Sequence, residues 1–105
     1  MNKATVQHCE TMAEVRQHID ALDDRIVALL AERSGYVAQA ARIKQRADQV
    51  HDQQRIDFIV DRVKAMARER GAPEAVMEAT YRAMIDAFIE FERGEFTRLK
   101  EGAGS

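Results

Sequence analysis

Apolar residues recur along the first third of the chain at Val15, Ile19, Leu22, Ile26 and Leu29. Alternating steps of four and three are the seam of an amphipathic helix. Thr11-Met-Ala-Glu14 opens it as a capping box, the hydroxyl serving an amide of the first turn and the Glu reaching back. No Pro or Gly interrupts before Gly35, and the pattern resumes at Val37, Ala40 and Ala41. A lone Gly costs a helix about 1 kcal/mol and does not end one. The seam therefore predicts a single helix from about Met12 to about Arg46.

That length constrains everything else. About 35 helical residues span ~50 Å. A compact globule of this size has a radius of gyration near ~13 Å and is roughly 35 Å across. One copy cannot cover the whole seam, and an uncovered apolar stripe of that length is an association surface. The expectation is an obligate, interlocked homodimer.

The rest of the chain reads as two more helices. Residues 47–54 are polar, with Asp48 and Asp52 as caps, and form a loop. A second helix runs from about Gln53 to Arg70, with Ile56, Ile59, Val60, Val63 and Ala67 on one side. Gly71 stops it and Pro73 starts the next first turn. A third helix runs to about Leu99, its apolar side including Tyr81, Met84, Ile85, Phe88, Ile89 and Phe96. Five Gly and one Pro in 105 residues are too few turn-formers for a many-stranded β fold. The fold class is all-α: three helices per chain in an intertwined homodimeric bundle. Residues 1–10 form an N-terminal arm, 11–99 the helical domain and 100–105 a flexible tail.

Several function classes fall away. Sixteen Lys and Arg against 18 Asp and Glu give a net charge of −2, which argues against a nucleic-acid binder. One Cys and three scattered His provide neither a disulfide framework nor metal spacing, so no metal is expected. No apolar run approaches a membrane span or a signal-peptide core, so the expected location is the cytoplasm, with no membrane partner.

The informative residues are charges on apolar stripes. Past Leu29 the seam continues through Arg33, Val37, Ala40 and Lys44. Arg33 and Lys44 are close to three turns apart, so both point the same way, ~16 Å from each other along the axis. Arg55 opens the second helix, and on the third the steps from Tyr81 through Ile85 and Phe88 reach Glu92. Arg16 adjoins Val15. Singly, each has an ordinary explanation: a snorkelling cation, a structural pair of Glu92 with Lys44 or Arg33, a solvated Arg16 or Arg55. Together they are expensive unless something anionic shares the site. A small, apolar-bodied molecule with two carboxylates fits, since Arg forks bind carboxylates bidentately and Lys supplies a point charge. No nucleophile–base pair accompanies them, which favours positional and electrostatic catalysis.

The segments Val15-Arg-Gln-His-Ile-Asp-Ala-Leu-Asp23, Ile26-Val-Ala-Leu-Leu-Ala-Glu-Arg33 and Ala41-Arg-Ile-Lys44 resemble the all-helical chorismate mutases. Arg55 and the stretch from Phe88 to Glu92 fit the same family, and the likeness covers roughly Thr11 to Phe96. The resemblance implies an intertwined dimer with two shared sites and a rearrangement of chorismate to prephenate without cofactor. This is an isomerase step of aromatic amino-acid biosynthesis. It implies that Arg33, Lys44 and Arg55 come from one subunit and Arg16 from the other. Arg16 and Arg33 would bind carboxylates. Lys44 would contact a carboxylate and the ether oxygen. Arg55 and the backbone near Asp52 would line the ring-hydroxyl side. Glu92 occupies the position of a residue, often Gln, that donates to the ether oxygen, which a Glu does only when protonated.

Two positions depart from the mutase pattern. The residue after Arg55 is often Glu and here is Ile56, as suits a lyase pocket, and Phe88 replaces a common small polar residue. The isochorismate pyruvate-lyases share the fold, and the regions of Cys9 and Ser34-Gly-Tyr-Val resemble that subgroup. Lyase activity, yielding salicylate and pyruvate, is therefore the alternative. A non-catalytic helical dimer is the third reading.

Overall fold

The Thr11 hydroxyl accepts from the Glu14 amide at 3.2 Å, and the Glu14 carboxylate accepts from the Glu10 amide at 2.8 Å. Two backbone donors at the helix start are thereby satisfied by side chains. In the computed structural model, which describes residues 5–104, helix α1 then runs unbroken through Gly35, spanning Met12–Ile43. A 3-10 turn follows at Ala47–Gln49, then α2 at Gln53–Arg70 and α3 at Glu74–Gly104. No strand occurs among the described residues, and the fold is all-helical as the sequence predicts.

The helix ends differ from expectation in two places. α1 stops at Ile43 instead of Arg46, and Lys44 turns extended with φ −64° and ψ 144°. The cause is Gln49, whose side-chain oxygen accepts from the Gln45 and Arg46 amides at 2.9 and 3.0 Å. α3 continues past Leu99 to Gly104, where a flexible tail is expected from sequence. Lys100 sits 5.1 Å over the Phe96 ring one turn back, which gives this extension a local contact. Residues 1–4 of the expected arm and residue 105 of the expected tail lie outside the described residues.

α2 keeps its expected bounds. The Asp52 carboxylate accepts from the Arg55 amide at 3.0 Å, and Gly71 closes the helix in the left-handed region at φ 70°. The Pro73 carbonyl accepts from the Met77 amide at 3.1 Å, so α3 begins directly after the proline.

α3 is the hub: α1 packs on it, α2 packs on it, and α1 and α2 do not pack on each other. Ala41, Val50 and Phe96 form a buried cluster, flanked by Ile89 and Leu99. Val60 and Ala67 of α2 and Ile85 of α3 are also buried. Lys64–Glu78 at 3.6 Å and Arg68–Glu74 at 2.8 Å tie α2 to α3. A hydrogen bond from Arg82, aided by the charges of Lys64 and Arg82, holds the Glu78 carboxyl below its ordinary range.

The chain is elongated, 60 × 27 × 20 Å, with a radius of gyration of 17.5 Å. The first half of the α1 seam is uncovered: Ile19, Leu22 and Ile26 are each about half exposed, and Leu29 is 63% exposed. Among the described residues, no helix is long and apolar enough to cross a membrane.

Gly71→Ala tests the cap. A Cβ at φ 70° meets no neighbour, so the cost is confined to the backbone. We expect a loss of about 1 kcal/mol in stability, seen as a lower midpoint in denaturant with an unchanged slope.

Candidate active site

The second half of the seam faces a cavity of about 350 Å³. Arg33, Val37, Ala40 and Lys44 form one wall of it. α3 contributes Ile85, Phe88, Ile89 and Glu92, the approach to α2 contributes Val50 and Asp52, and α2 itself contributes Arg55, Ile56 and Ile59. The volume suits a small molecule, and the walls are mainly apolar with a few convergent charges. Arg33, Lys44, Asp52, Arg55, Ile56, Phe88 and Glu92 are thus brought together. Arg16 is not. It is exposed near the other end of α1, ~26 Å along the helix axis from Arg33.

Each charged group is held differently. The Lys44 ammonium donates to the Glu92 carboxylate at 2.6 Å, with the two side chains 27% and 10% exposed. Glu92 is buried, and its apolar surroundings make Lys44 its essential counter-charge. The Arg33 guanidinium lies 4.7 Å over the Phe88 ring, and Arg55 lies 5.2 Å over the Phe58 ring. Phe88 in turn meets Phe91 edge-on, centroids 6.3 Å apart at 80°. Neither guanidinium is in an ion pair or hydrogen bond among the described residues. Asp52 is occupied as the cap of α2. The formal charges of the cavity, three cations against Glu92 and Asp52, leave it one positive charge in excess.

The arrangement offers two guanidinium forks with free N–H groups and an ammonium fixed by a carboxylate, all against an apolar wall. No His, Cys or Ser is among the lining residues. It can bind carboxylates and stabilise a developing negative charge.

Sequence periodicity missed Val50 and Tyr36. Val50 sits in a polar loop with no repeat to mark it, and is buried by Ala41 and Phe96 from two distant helices. Tyr36 lines the cavity while 66% exposed, off the apolar seam. Phe58 lies outside the cavity, and the only sequence signal for it was its place three residues after Arg55.

Residues 15–93 match the family model described as Chorismate mutase type II. Over 78 residues the chain is 31% identical to the chorismate mutase of Methanocaldococcus jannaschii, covering 73% of this chain and 79% of that protein. Over 99 residues it is 27% identical to the isochorismate pyruvate lyase of Pseudomonas aeruginosa, covering 94% of this chain and 97% of that one.

The Lys44–Glu92 pair gives a stability prediction. Lys44→Met leaves a buried carboxylate without its partner and should cost about 1–3 kcal/mol at neutral pH. Adding Glu92→Leu should recover most of that loss, because the stranded charge is gone. Denaturant titration of the two variants and the wild type checks both halves.

Proposed function

The chain belongs to the chorismate mutase type II family, and from that premise we propose that its cavity rearranges chorismate to prephenate. The observation that carries this reading is the convergence of Arg33, Lys44 and Arg55 on one apolar-walled cavity. The reaction is intramolecular. An ether C–O bond breaks as a C–C bond forms, and negative charge grows on the ether oxygen. It needs no external nucleophile, redox partner or cofactor, which suits a cavity built from cations and apolar walls.

Each residue then has a task. The Arg33 fork takes one substrate carboxylate. Lys44, placed by Glu92, reaches the ether oxygen, and its attraction strengthens as charge develops there. Only such differential stabilisation accelerates the step. Glu92 stands beside the same oxygen and fixes the Lys44 ammonium there through their 2.6 Å pair. Arg55 and the backbone near Asp52 face the ring hydroxyl. Ile56 and Phe88 confine the apolar ring in the compact, chair-like form that brings the reacting carbons together.

Incubation with chorismate, followed by detection of prephenate, tests the assignment. Ile56, apolar where an acidic residue often accepts from the substrate hydroxyl, favours a second reading as an isochorismate pyruvate-lyase. The P. aeruginosa relative, matched over 94% of this chain, supports it. Salicylate and pyruvate from isochorismate, with only weak formation of prephenate from chorismate, would establish that reading. Turnover of neither would leave a non-catalytic helical dimer. For the mutase, Arg33→Ala and Lys44→Ala should each lower kcat/KM by about 10²–10³-fold. A variant retaining more than about a tenth of wild-type turnover removes that residue from the mechanism.

The proposal extends to assembly and location. A second copy covers Ile19, Leu22, Ile26 and Leu29 and brings Arg16 of the partner subunit to the cavity, as a second carboxylate site. The enzyme works in the cytoplasm as this homodimer. The exposed seam and the distance of Arg16 from its own cavity support the dimer. Sedimentation at micromolar concentration should show no folded 11.9 kDa species. Mixing Arg16→Ala with Lys44→Ala subunits should restore about one working site per mixed dimer, because both defects fall in the other site. Absence of recovery refutes the shared site.

A further inference from the structure

We propose that phenylalanine faces orient the two cavity arginines, Phe88 holding Arg33 and Phe58 holding Arg55. The proposal rests on the reading of the cavity as a dicarboxylate site. It adds two positioning residues, one of which lies outside the cavity altogether.

Among the described arginines, the side chains of Arg16, Arg25, Arg42, Arg62 and Arg70 meet neither a carboxylate nor a ring. Arg46, Arg68, Arg82, Arg93 and Arg98 each pair with a carboxylate within six residues along the chain. Arg33 and Arg55 pair with rings instead, at 4.7 and 5.2 Å. A carboxylate partner would occupy the N–H groups that the substrate needs and cancel the charge that attracts it. An aromatic face does neither. It attracts the cation through the ring quadrupole without offering a carboxylate acceptor for the N–H donors. The side chain is ordered before the ligand arrives, and its hydrogen-bonding capacity is untouched.

The two seats are built differently. Phe88 reaches Arg33 across the α1–α3 contact and is braced edge-on by Phe91, which limits tilting of the ring. Phe58 reaches Arg55 within α2, from the neighbouring turn. Phe58 is not a lining residue, so its influence on the substrate passes through Arg55.

Loss of a seat falls on binding. An unseated arginine samples other rotamers, and apparent affinity drops by the fraction of time it is misplaced. Once bound, the substrate carboxylate itself draws the guanidinium into place. A change in KM with little change in kcat is the signature of such uniform binding.

The experiment uses the full-length protein and chorismate, with Phe88→Leu, Phe58→Leu and a form carrying a trifluorinated phenylalanine at position 88. The fluorinated ring keeps the shape and weakens the face quadrupole, so it remains informative if Phe88→Leu fails to fold. KM should rise about 3–30-fold in each form, with the smallest rise for the fluorinated ring, while kcat stays within about twofold for Phe58→Leu, which lies outside the cavity, and for the fluorinated ring, which keeps the cavity wall. A second readout is independent of turnover. In wild type the Arg33 side-chain Nε–Hε resonance is shifted by the Phe88 ring current, and Phe88→Leu should abolish that shift. A KM unchanged by fluorination, a loss confined to kcat in Phe58→Leu or in the fluorinated form, or an Arg33 resonance indifferent to Phe88→Leu each overturns the proposal. If the wild type turns over neither chorismate nor isochorismate, the functional reading fails instead, and the resonance alone decides whether the seat exists.

Discussion

A rod of 32 helical residues imposes its phase on both of its ends. The stripe that carries Ile19, Leu22, Ile26 and Leu29 is the stripe that carries Arg33, Val37, Ala40 and Lys44. Its second half is covered by α3 and walls the cavity, while in its first half Ile19, Leu22, Ile26 and Leu29 stay half exposed or more. α1 cannot rotate to bury one half better without turning the other half away. The elongated shape and the uncovered seam follow from that rigidity, and so does the inward aim of Arg33 and Lys44.

Charge on such a stripe must be accommodated, and the cavity does so unequally. Lys44 and Glu92 neutralise each other at 2.6 Å, mostly out of water. Removing two charges from solvent costs roughly what their attraction returns, so a pair of this kind is weak evidence for stability. A well-packed apolar pair would serve the fold as well. What the ion pair gives the cavity is an ammonium in a fixed place. The arginines lie over rings and not against carboxylates, and they leave the cavity with its excess of positive charge.

The sequence made some of this legible and hid the rest for physical reasons. The phase of α1 and the bounds of α2 were readable because the 3.6-residue repeat and the caps at Asp52 and Gly71 are local signals. The repeat alone also placed Arg33, Lys44 and Glu92 on inward stripes. The end of α1 was not readable, since Lys44, Gln45 and Arg46 are good helix formers. Their helix is interrupted by the side chain of Gln49 capturing two amides from beyond the turn. The persistence of α3 through Gly102 to Gly104 runs against propensity, and no sequence rule marks it. Val50 and the Arg33–Phe88 contact depend on α1 meeting α3, so tertiary packing alone reveals them.

In the proposed dimer, Arg16 would couple assembly to chemistry. Roughly 26 Å of helix separates it from Arg33, far more than a dicarboxylate of this size spans. Between them lie the four exposed seam residues Ile19, Leu22, Ile26 and Leu29. In the proposed dimer, covering those residues is the act that carries each Arg16 to the opposite cavity. The apolar stripe then supplies the association energy and the cation supplies the second carboxylate contact. A substrate held between Arg33 of one subunit and Arg16 of the other binds only the dimer, so by mass action it strengthens the association that created its site. In that dimer, two demands that look separate in the sequence, burying a seam and completing a charge pattern, would be met by one contact because both lie along one helix.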